Sequence, residues 1–327
     1  MLTVAVTGPT GEIGKPFVAA LERLPEVERV IGMARRPFDP AAHGWTKVEY
    51  RQGDILDRES VEALVEGADV VAHLAFVIVA GSGASRQINL TGSRNVFEAT
   101  AAAGAKRLVY TSSVAAYGFH AGAPALLTEE VPVPGTDRHP YSAHKAAVEA
   151  LLGECLAGSA TAAYVFRPCV VAGPEAPALV ETVPLLAIER RLPGLVRRVP
   201  GLRPVLPDPG VPFQLVHHDD VASALCAGVL GAGEPGPYNL AGPGELTVAD
   251  LAAELGWHSV PVPRLAVGAA AEVLARVPML PDEATWIEAV RRPVMMGTSR
   301  ARVTLGWEPR HDARETLRQT VAAARNR

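Results

Sequence analysis

One segment near the start of the chain constrains its fold more than any other: Leu2-Thr3-Val4-Ala5-Val6-Thr7-Gly8-Pro9-Thr10-Gly11-Glu12-Ile13-Gly14. Its first six residues are an apolar run without polar alternation, the pattern of a strand covered on both faces. Three glycines spaced three apart then lead straight into a helical pattern over Gly11–Leu24. A strand that must be covered on both sides and turns at once into a helix opens a layered α/β fold. The pattern recurs, with strands expected at Arg29–Ala34, Val48–Arg51, Asp69–Leu74, Arg107–Ser113 and Ala162–Arg167. Helices are expected between them at Arg58–Glu66, Arg86–Ala103 and Tyr141–Leu156. Right-handed crossovers at this spacing build a doubly wound parallel sheet.

The texture changes after Arg167, with nine prolines between positions 174 and 212, a density that permits only loop and short elements. A strand is expected again at Phe213–His217 and a helix at Val221–Leu230, followed by helices at Thr247–Leu255, Leu265–Arg276, Ser299–Leu305 and Asp312–Ala324. The expected organisation is a sheet domain over 1–170, to which 213–242 returns, and a smaller, mostly C-terminal lobe from 171–212 and 243–327. A chain of 327 residues with 48% apolar residues can bury such a core. The net charge of −4 leaves no electrostatic footprint for nucleic acid. Cys155, Cys169 and Cys226 are too few and too scattered for a disulfide framework or a CxxC metal site. No apolar run reaches the ~18 residues of a membrane span, and no charged leader precedes Leu2. A soluble, cytoplasmic protein is expected, without nucleic acid or membrane as partner.

The glycine run carries chemistry. Gly8 permits the tight turn, Gly11 lets backbone approach a pyrophosphate, and Gly14 lets the helix pack on the strand. Glu12 and Ile13 stand where a helix N-terminus offers N–H groups and the positive end of its dipole. This is a dinucleotide loop, and the expected fold is a Rossmann sheet with a substrate-binding lobe. After the second strand a carboxylate would bind a ribose 2′-OH and an arginine a 2′-phosphate. The sequence there is Met33-Ala34-Arg35-Arg36, with no carboxylate before Asp39. NADP(H) is therefore the expected cofactor, with Arg35 first and Arg36 second, and NAD(H) the alternative. Gly53-Asp54-Ile55 ends the third strand, where Asp54 is placed against an adenine.

Tyr141-Ser142-Ala143-His144-Lys145 puts a phenol and an ammonium four residues apart on one helix face. A tyrosine of ordinary pKa, near 10, does acid–base work at neutral pH only if its phenolate is stabilised, as a nearby ammonium does. Only four of the 31 basic residues are lysines, so this spacing is unlike the background. Ser113, at the carboxyl end of the fifth strand, stands where doubly wound sheets bind ligands. Its hydroxyl suits a substrate carbonyl, and equally suits an ordinary turn.

Together, Thr7–Gly14, Ser113 with Tyr117-Gly118, and Tyr141–Lys145 resemble the extended short-chain dehydrogenase/reductase family, the NAD-dependent epimerase/dehydratase-like group. His73-Leu74-Ala75, Asn89–Val96, Arg167-Pro168, Val216–Ala222, Tyr238-Asn239-Leu240 and Leu305-Gly306-Trp307 extend the resemblance along the chain. It implies Tyr141 as general acid–base, Lys145 lowering its pKa and binding the nicotinamide ribose, and Ser113 polarising the substrate oxygen. Leu74 and Ala75 would line the cofactor, Asn89 support its site, Pro168 and Val170 face the nicotinamide, and a homodimer form.

Departures from the family narrow the reaction. Dehydratases resembling this group carry an Asp-Glu pair where Val114 and Ala115 stand, and neither can do acid–base work. UDP-sugar epimerases carry an arginine near the position of Phe213. Arg190, Arg191, Arg197, Arg198, Arg203, Arg291 and Arg292 either supply an anionic handle for substrate or solubilise exposed loops. The first expectation is an NADP(H)-dependent carbonyl reductase or alcohol dehydrogenase. A nucleotide-sugar epimerase is second, and a cofactor-sensing regulator third. His217-His218-Asp219-Asp220 is not expected to hold a metal, because neighbours on a strand point to opposite faces, and Asp220 is expected to cap the Val221 helix.

Overall fold

The computed structural model describes residues 1–78, 82–120, 122–137, 139–181, 203–263 and 293–326. Leu265–Arg276, Arg190, Arg191, Arg197, Arg198, Arg291 and Arg292 lie outside these residues. The strands in chain order are β1 (Leu2–Thr7), β2 (Val27–Ala34), β3 (Val48–Gln52), β4 (Val70–His73), β5 (Arg107–Thr111), β6 (Leu126–Leu127), β7 (Ala162–Pro168), β8 (Val170–Ala172), β9 (Val205–Asp208), β10 (Leu215–His217), β11 (Gly236–Leu240), β12 (His258–Pro261) and β13 (Met295–Met296). Seven of them form one parallel sheet in the order β11-β7-β5-β4-β1-β2-β3. The chain runs outward from β1 in one direction and then in the other, so its order reverses between β1 and β4. A crevice opens at the carboxyl ends of the strands there, where such sheets take their ligands.

The continuous apolar runs have their explanation in this sheet. Along β1, Val4 and Val6 join one core cluster while Ala5 joins another. Helices α1 (Gly14–Arg23) and α6 (His218–Leu230) cover the first face; α2 (Arg58–Val65), α3 (Ser82–Ala102) and α4 (Pro140–Cys155) cover the second. With both faces dry, alternation has no solvent side to respond to. A third cluster, containing Val180, Leu215, Leu251, Trp257, Leu317 and Val321, packs around α5 (Ala178–Glu181), α7 (Val248–Glu254) and α9 (Ala313–Asn326). The remaining described helix, α8 (Ser299–Leu305), leads to Trp307, whose indole N–H donates to Asp220 O at 2.9 Å.

Two expectations change here. The expected strand over Phe213–His217 is confined to Leu215–His217 and pairs with β8 rather than with the seven-stranded sheet. The edge beside β7 is taken by β11, a Gly-Pro-Tyr-Asn-Leu segment with too few β-branched residues to announce itself. Among the described residues no helix is long and apolar enough to cross a membrane.

Candidate active site

The three glycines of the first turn do different work. Gly8 has φ +74°, and a Cβ on it would lie 2.9 Å from Ala75 N. A Cβ on Gly14 would lie 2.1 Å from Gly8 O, so both positions are closed to side chains by neighbouring backbone. Gly11 is exposed, and its Cβ would meet only Gly8 O, at 3.5 Å. The space over Gly11 is therefore open. Helix α1 begins there behind Ile13, with no side-chain cap and no acidic residue in its first turn. An uncapped positive helix end beside a bare glycine fits a diphosphate, which would take up the N–H groups and the dipole. Glu12 and Ile13 are half-buried at that end.

Thr7, the last residue of β1, organises the opposite wall. Its Oγ1 lies 2.8 Å from His73 Nδ1 and accepts from Leu74 N and Ala75 N at 3.3 Å each, which bends Leu74 and Ala75 across Gly8. His73 Nε2 meets Ser93 Oγ at 2.9 Å. Burial, with a smaller push from the Lys145 charge, depresses His73 to about 3, so it is a neutral strut joining β1, β4 and α3. Asn89, fully buried on α3, accepts from Val77 N and donates to Val77 O, both at 2.9 Å, and lies 3.4 Å from His144 Nδ1.

At the end of β2, Arg35 and Arg36 are both exposed. Asp39, the first carboxylate beyond them, is engaged by Ala41 N at 2.9 Å. Asp54 Oδ1 accepts from Leu56 N at 3.0 Å, while Ile55 is buried under α3, where a Cβ on Gly92 would approach its Cδ1 to 2.4 Å. Pro168 closes β7 in a buried position and Val170 opens β8 half-buried; the amide of Cys169 between them donates to Leu240 O at 2.9 Å.

Ser113, Tyr141 and Lys145 come together. Ser113 follows β5 and caps a short 3₁₀ turn over Val114–Tyr117, its Oγ accepting from Ala115 N at 3.1 Å. Helix α4 enters with Pro140 in its first turn and His139 Nδ1 accepting from Ser142 N, which sets Tyr141 in the first turn with its ring centre 5.6 Å from that of Phe76. Burial pushes the Tyr141 phenol above its ordinary value, and the bond to Ser113 opposes that. Lys145 is buried at 3% exposure, and its Nζ donates to Thr111 O at 2.8 Å. Burial pulls it down to about 7 against the attraction of Glu149. The ammonium lies 5.8 Å from the Tyr141 ring centre, while its hydrogen bond goes to strand β5.

The sequence reading did not single out Glu149. It lies four residues beyond Lys145 on α4 and is held by Arg167 through Nη2–Oε2 at 2.6 Å and Nε–Oε1 at 3.0 Å. The signal available was a carboxylate at helical spacing after a buried lysine. Arg167 Nη1 also donates to Tyr117 Oη at 2.8 Å, and that hydroxyl meets Asn239 Oδ1 at 2.8 Å. Tyr117 is thus a buried packing residue at 2% exposure.

Two readings of the histidine segment are corrected. Strand β10 ends at His217 and α6 starts at His218, so the backbone turns between them and their ring centres lie 4.2 Å apart. His217, His218 and Asp219 each place a ligand-type atom within 4.8 Å of the others. Both nitrogens of His217 are already engaged, however: Nδ1 accepts from Asp219 N at 3.2 Å and Nε2 meets Gln319 Oε1 at 3.1 Å. Its ring stacks on His311 at 3.9 Å, so the cluster ties α9 to α6. Asp220 does not cap the helix, since His217 does. Asp220 instead accepts from Arg310 N at 2.8 Å and His311 N at 3.1 Å. Phe213 is half-buried and pairs through its backbone with Leu246, and Arg203 is exposed.

Comparison with known proteins gives a family and a fold. The model of the NAD-dependent epimerase/dehydratase family matches residues 4–241. An uncharacterized protein of Mycobacterium tuberculosis is 29% identical over 330 residues, covering 100% of this chain and 30% of that protein. The chain thus spans less than a third of the length of that relative. The 3 beta-hydroxysteroid dehydrogenase type 7 of Homo sapiens is 33% identical over 173 residues, 47% of this chain and 44% of the relative. Among solved structures, a UDP-glucose 4-epimerase from Thermotoga maritima bound to UDP-glucose superposes with a TM-score of 0.73 at 21% identity, covering 99% of both chains. The dTDP-glucose 4,6-dehydratase DesIV of Streptomyces venezuelae, with NAD and TYD bound, gives 0.73 at 21% identity over 99% of this chain and 97% of that one. At these identities the likeness is one of fold.

Proposed function

The chain belongs to the NAD-dependent epimerase/dehydratase family, and we propose that within it this protein is an NADP(H)-dependent oxidoreductase that interconverts a carbonyl and an alcohol. The observation that carries this reading is Tyr141 and Lys145 one turn apart on α4, with Lys145 bonded to Thr111 O two residues before Ser113, and with no carboxylate at Val114 or Ala115. A phenol whose burial keeps it protonated is a proton donor, and Ser113 can hold the accepting oxygen in place. In the reductive direction the Tyr141 proton passes to the oxygen of the nascent alcohol. Ser113 orients that oxygen and donates to it as its negative charge develops. Lys145 in its protonated form stabilises the phenolate left behind. A bound nicotinamide would supply or accept the hydride.

Gly8, Gly11, Gly14, Glu12 and Ile13 are proposed to receive the diphosphate, Asp54 and Ile55 the adenine end, and Leu74, Ala75, Asn89, Pro168 and Val170 the nicotinamide half. Exposed Arg35 and Arg36, with Asp39 turned to Ala41 N, support a preference for a 2′-phosphate. The dehydrogenase relative adds weight to net redox chemistry over epimerisation. The second reading, an NAD-dependent nucleotide-sugar epimerase, draws on the family itself, whose description includes epimerases. Incubation of the protein with NADPH and a panel of ketones, hydroxysteroids and UDP-sugars separates the two. Stoichiometric cofactor oxidation supports the reductase; an epimerised sugar without net oxidation supports the alternative.

A further inference from the structure

Lys145 needs an explanation of its own, because a buried ammonium loses its hydration and must be compensated. On α4 it faces Tyr141 and Glu149, on β5 Tyr110 and Thr111 O, and on β4 His73. Glu149 is already bound by Arg167, and His73 is neutral. The described contact to Nζ that remains is the face of Phe76, whose ring centre lies 3.7 Å away. That ring also meets Tyr141 edge-on, at 5.6 Å between centres and 89° between planes. Phe76 is held from both sides: Thr7 binds Leu74 N and Ala75 N before it, and Asn89 pins both backbone groups of Val77 after it.

We propose that Phe76 is a positioning residue for the Tyr141–Lys145 pair, its π face retaining the Lys145 ammonium as a cation beside the phenol. The aromatic quadrupole supplies negative potential where no free carboxylate reaches, and it does so without admitting water. Exclusion of water by the same ring raises the cost of the charge, which agrees with the depressed value of Lys145, so the π face is the compensating part of the contact. The catalytic meaning of this contact rests on the oxidoreductase reading; the contact's effect on Lys145 does not.

Protein labelled with lysine ¹³C at Cε carries only four lysines to resolve, and Lys145→Arg assigns the signal by its loss. Titration of that signal without cofactor should place the Phe76→Leu midpoint about one pH unit below wild type, because bulk is kept and the π face is lost. Phe76→Tyr should restore the wild-type midpoint, and Phe76→Met serves as the second non-aromatic variant if Phe76→Leu does not fold. An unmoved or raised midpoint in a folded non-aromatic variant overturns the proposal. A lowered midpoint in a protein that turns over no carbonyl upholds the contact while removing the reductase reading. In an active protein, the pH profile of kcat should move in Phe76→Leu and return in Phe76→Tyr.

Discussion

Arg167 holds Glu149 through two of its nitrogens, one helical turn beyond Lys145, with side-chain exposures of 6% and 8%. The pair locks the end of β7 to α4 and, with the Ser112 hydroxyl, occupies the carboxylate nearest the lysine along the helix. Removing one partner strands a buried charge. Arg167→Met should therefore destabilise the fold by about 3–5 kcal/mol. The double replacement Arg167→Met with Glu149→Leu should cost much less, because no charge is left behind. Urea denaturation of the three proteins checks the ordering.

Tyr141→Phe removes the proton donor and leaves the ring's packing on Phe76. Turnover should fall by about 10²–10⁴-fold, with NADPH affinity unchanged. Steady-state rates beside a fluorescence titration of NADPH give both quantities, and a variant with near-normal turnover would end the assignment.

The glycine turn yields a contrast within one motif. Gly14→Ala forces a Cβ to 2.1 Å from Gly8 O and should destabilise the protein by about 1–3 kcal/mol or more through overpacking. Gly11→Ala meets nothing closer than 3.5 Å, so its melting temperature should stay near wild type. Its methyl group instead occupies the approach to the diphosphate, and dinucleotide affinity should drop about tenfold or more. Thermal melts paired with cofactor titrations separate the two.

Arg35→Ala should weaken NADPH binding by about 10- to 100-fold, the cost of one charged hydrogen bond to phosphate, and leave NADH binding nearly unchanged. The ratio of the two dissociation constants is the measurement. Equal losses for both cofactors would move the phosphate contact elsewhere, with Arg36 the next position to test.

Acid should act through His73. Its folded-state value, about 3, lies below the ordinary 6.5, so in the interval between them the unfolded chain binds a proton that the native protein refuses. Stability is therefore full above about pH 6.5 and is lost as pH falls toward 3, by up to a few kcal/mol. Denaturation across this interval should show the slope, and His73→Gln should flatten it while lowering stability at neutral pH, where Thr7 and Ser93 lose their partner.

The chain's local rules were legible without any structure. Leu2–Thr7 is a strand in sequence and in space, and Ser299–Leu305 is a helix in both, because β-branched runs and helical periodicity act within a few residues. The glycine turn is legible for the same reason, since its spacing is a backbone requirement met by adjacent residues. Asp220 was misread because an acidic residue before a helix is usually a cap, and only folding brings Arg310 N to it across 90 positions. Phe76 reads as one more apolar residue until Lys145 arrives over its ring. Glu149 looks like a solvated helix acid until Arg167, 18 residues on, crosses from β7. What the sequence determined is the order of strands and helices, since propensity and packing period are local properties. Which charges are neutralised, which nitrogens are occupied and which faces meet a buried ammonium were decided by tertiary structure alone, because those energies belong to pairs of residues distant along the chain.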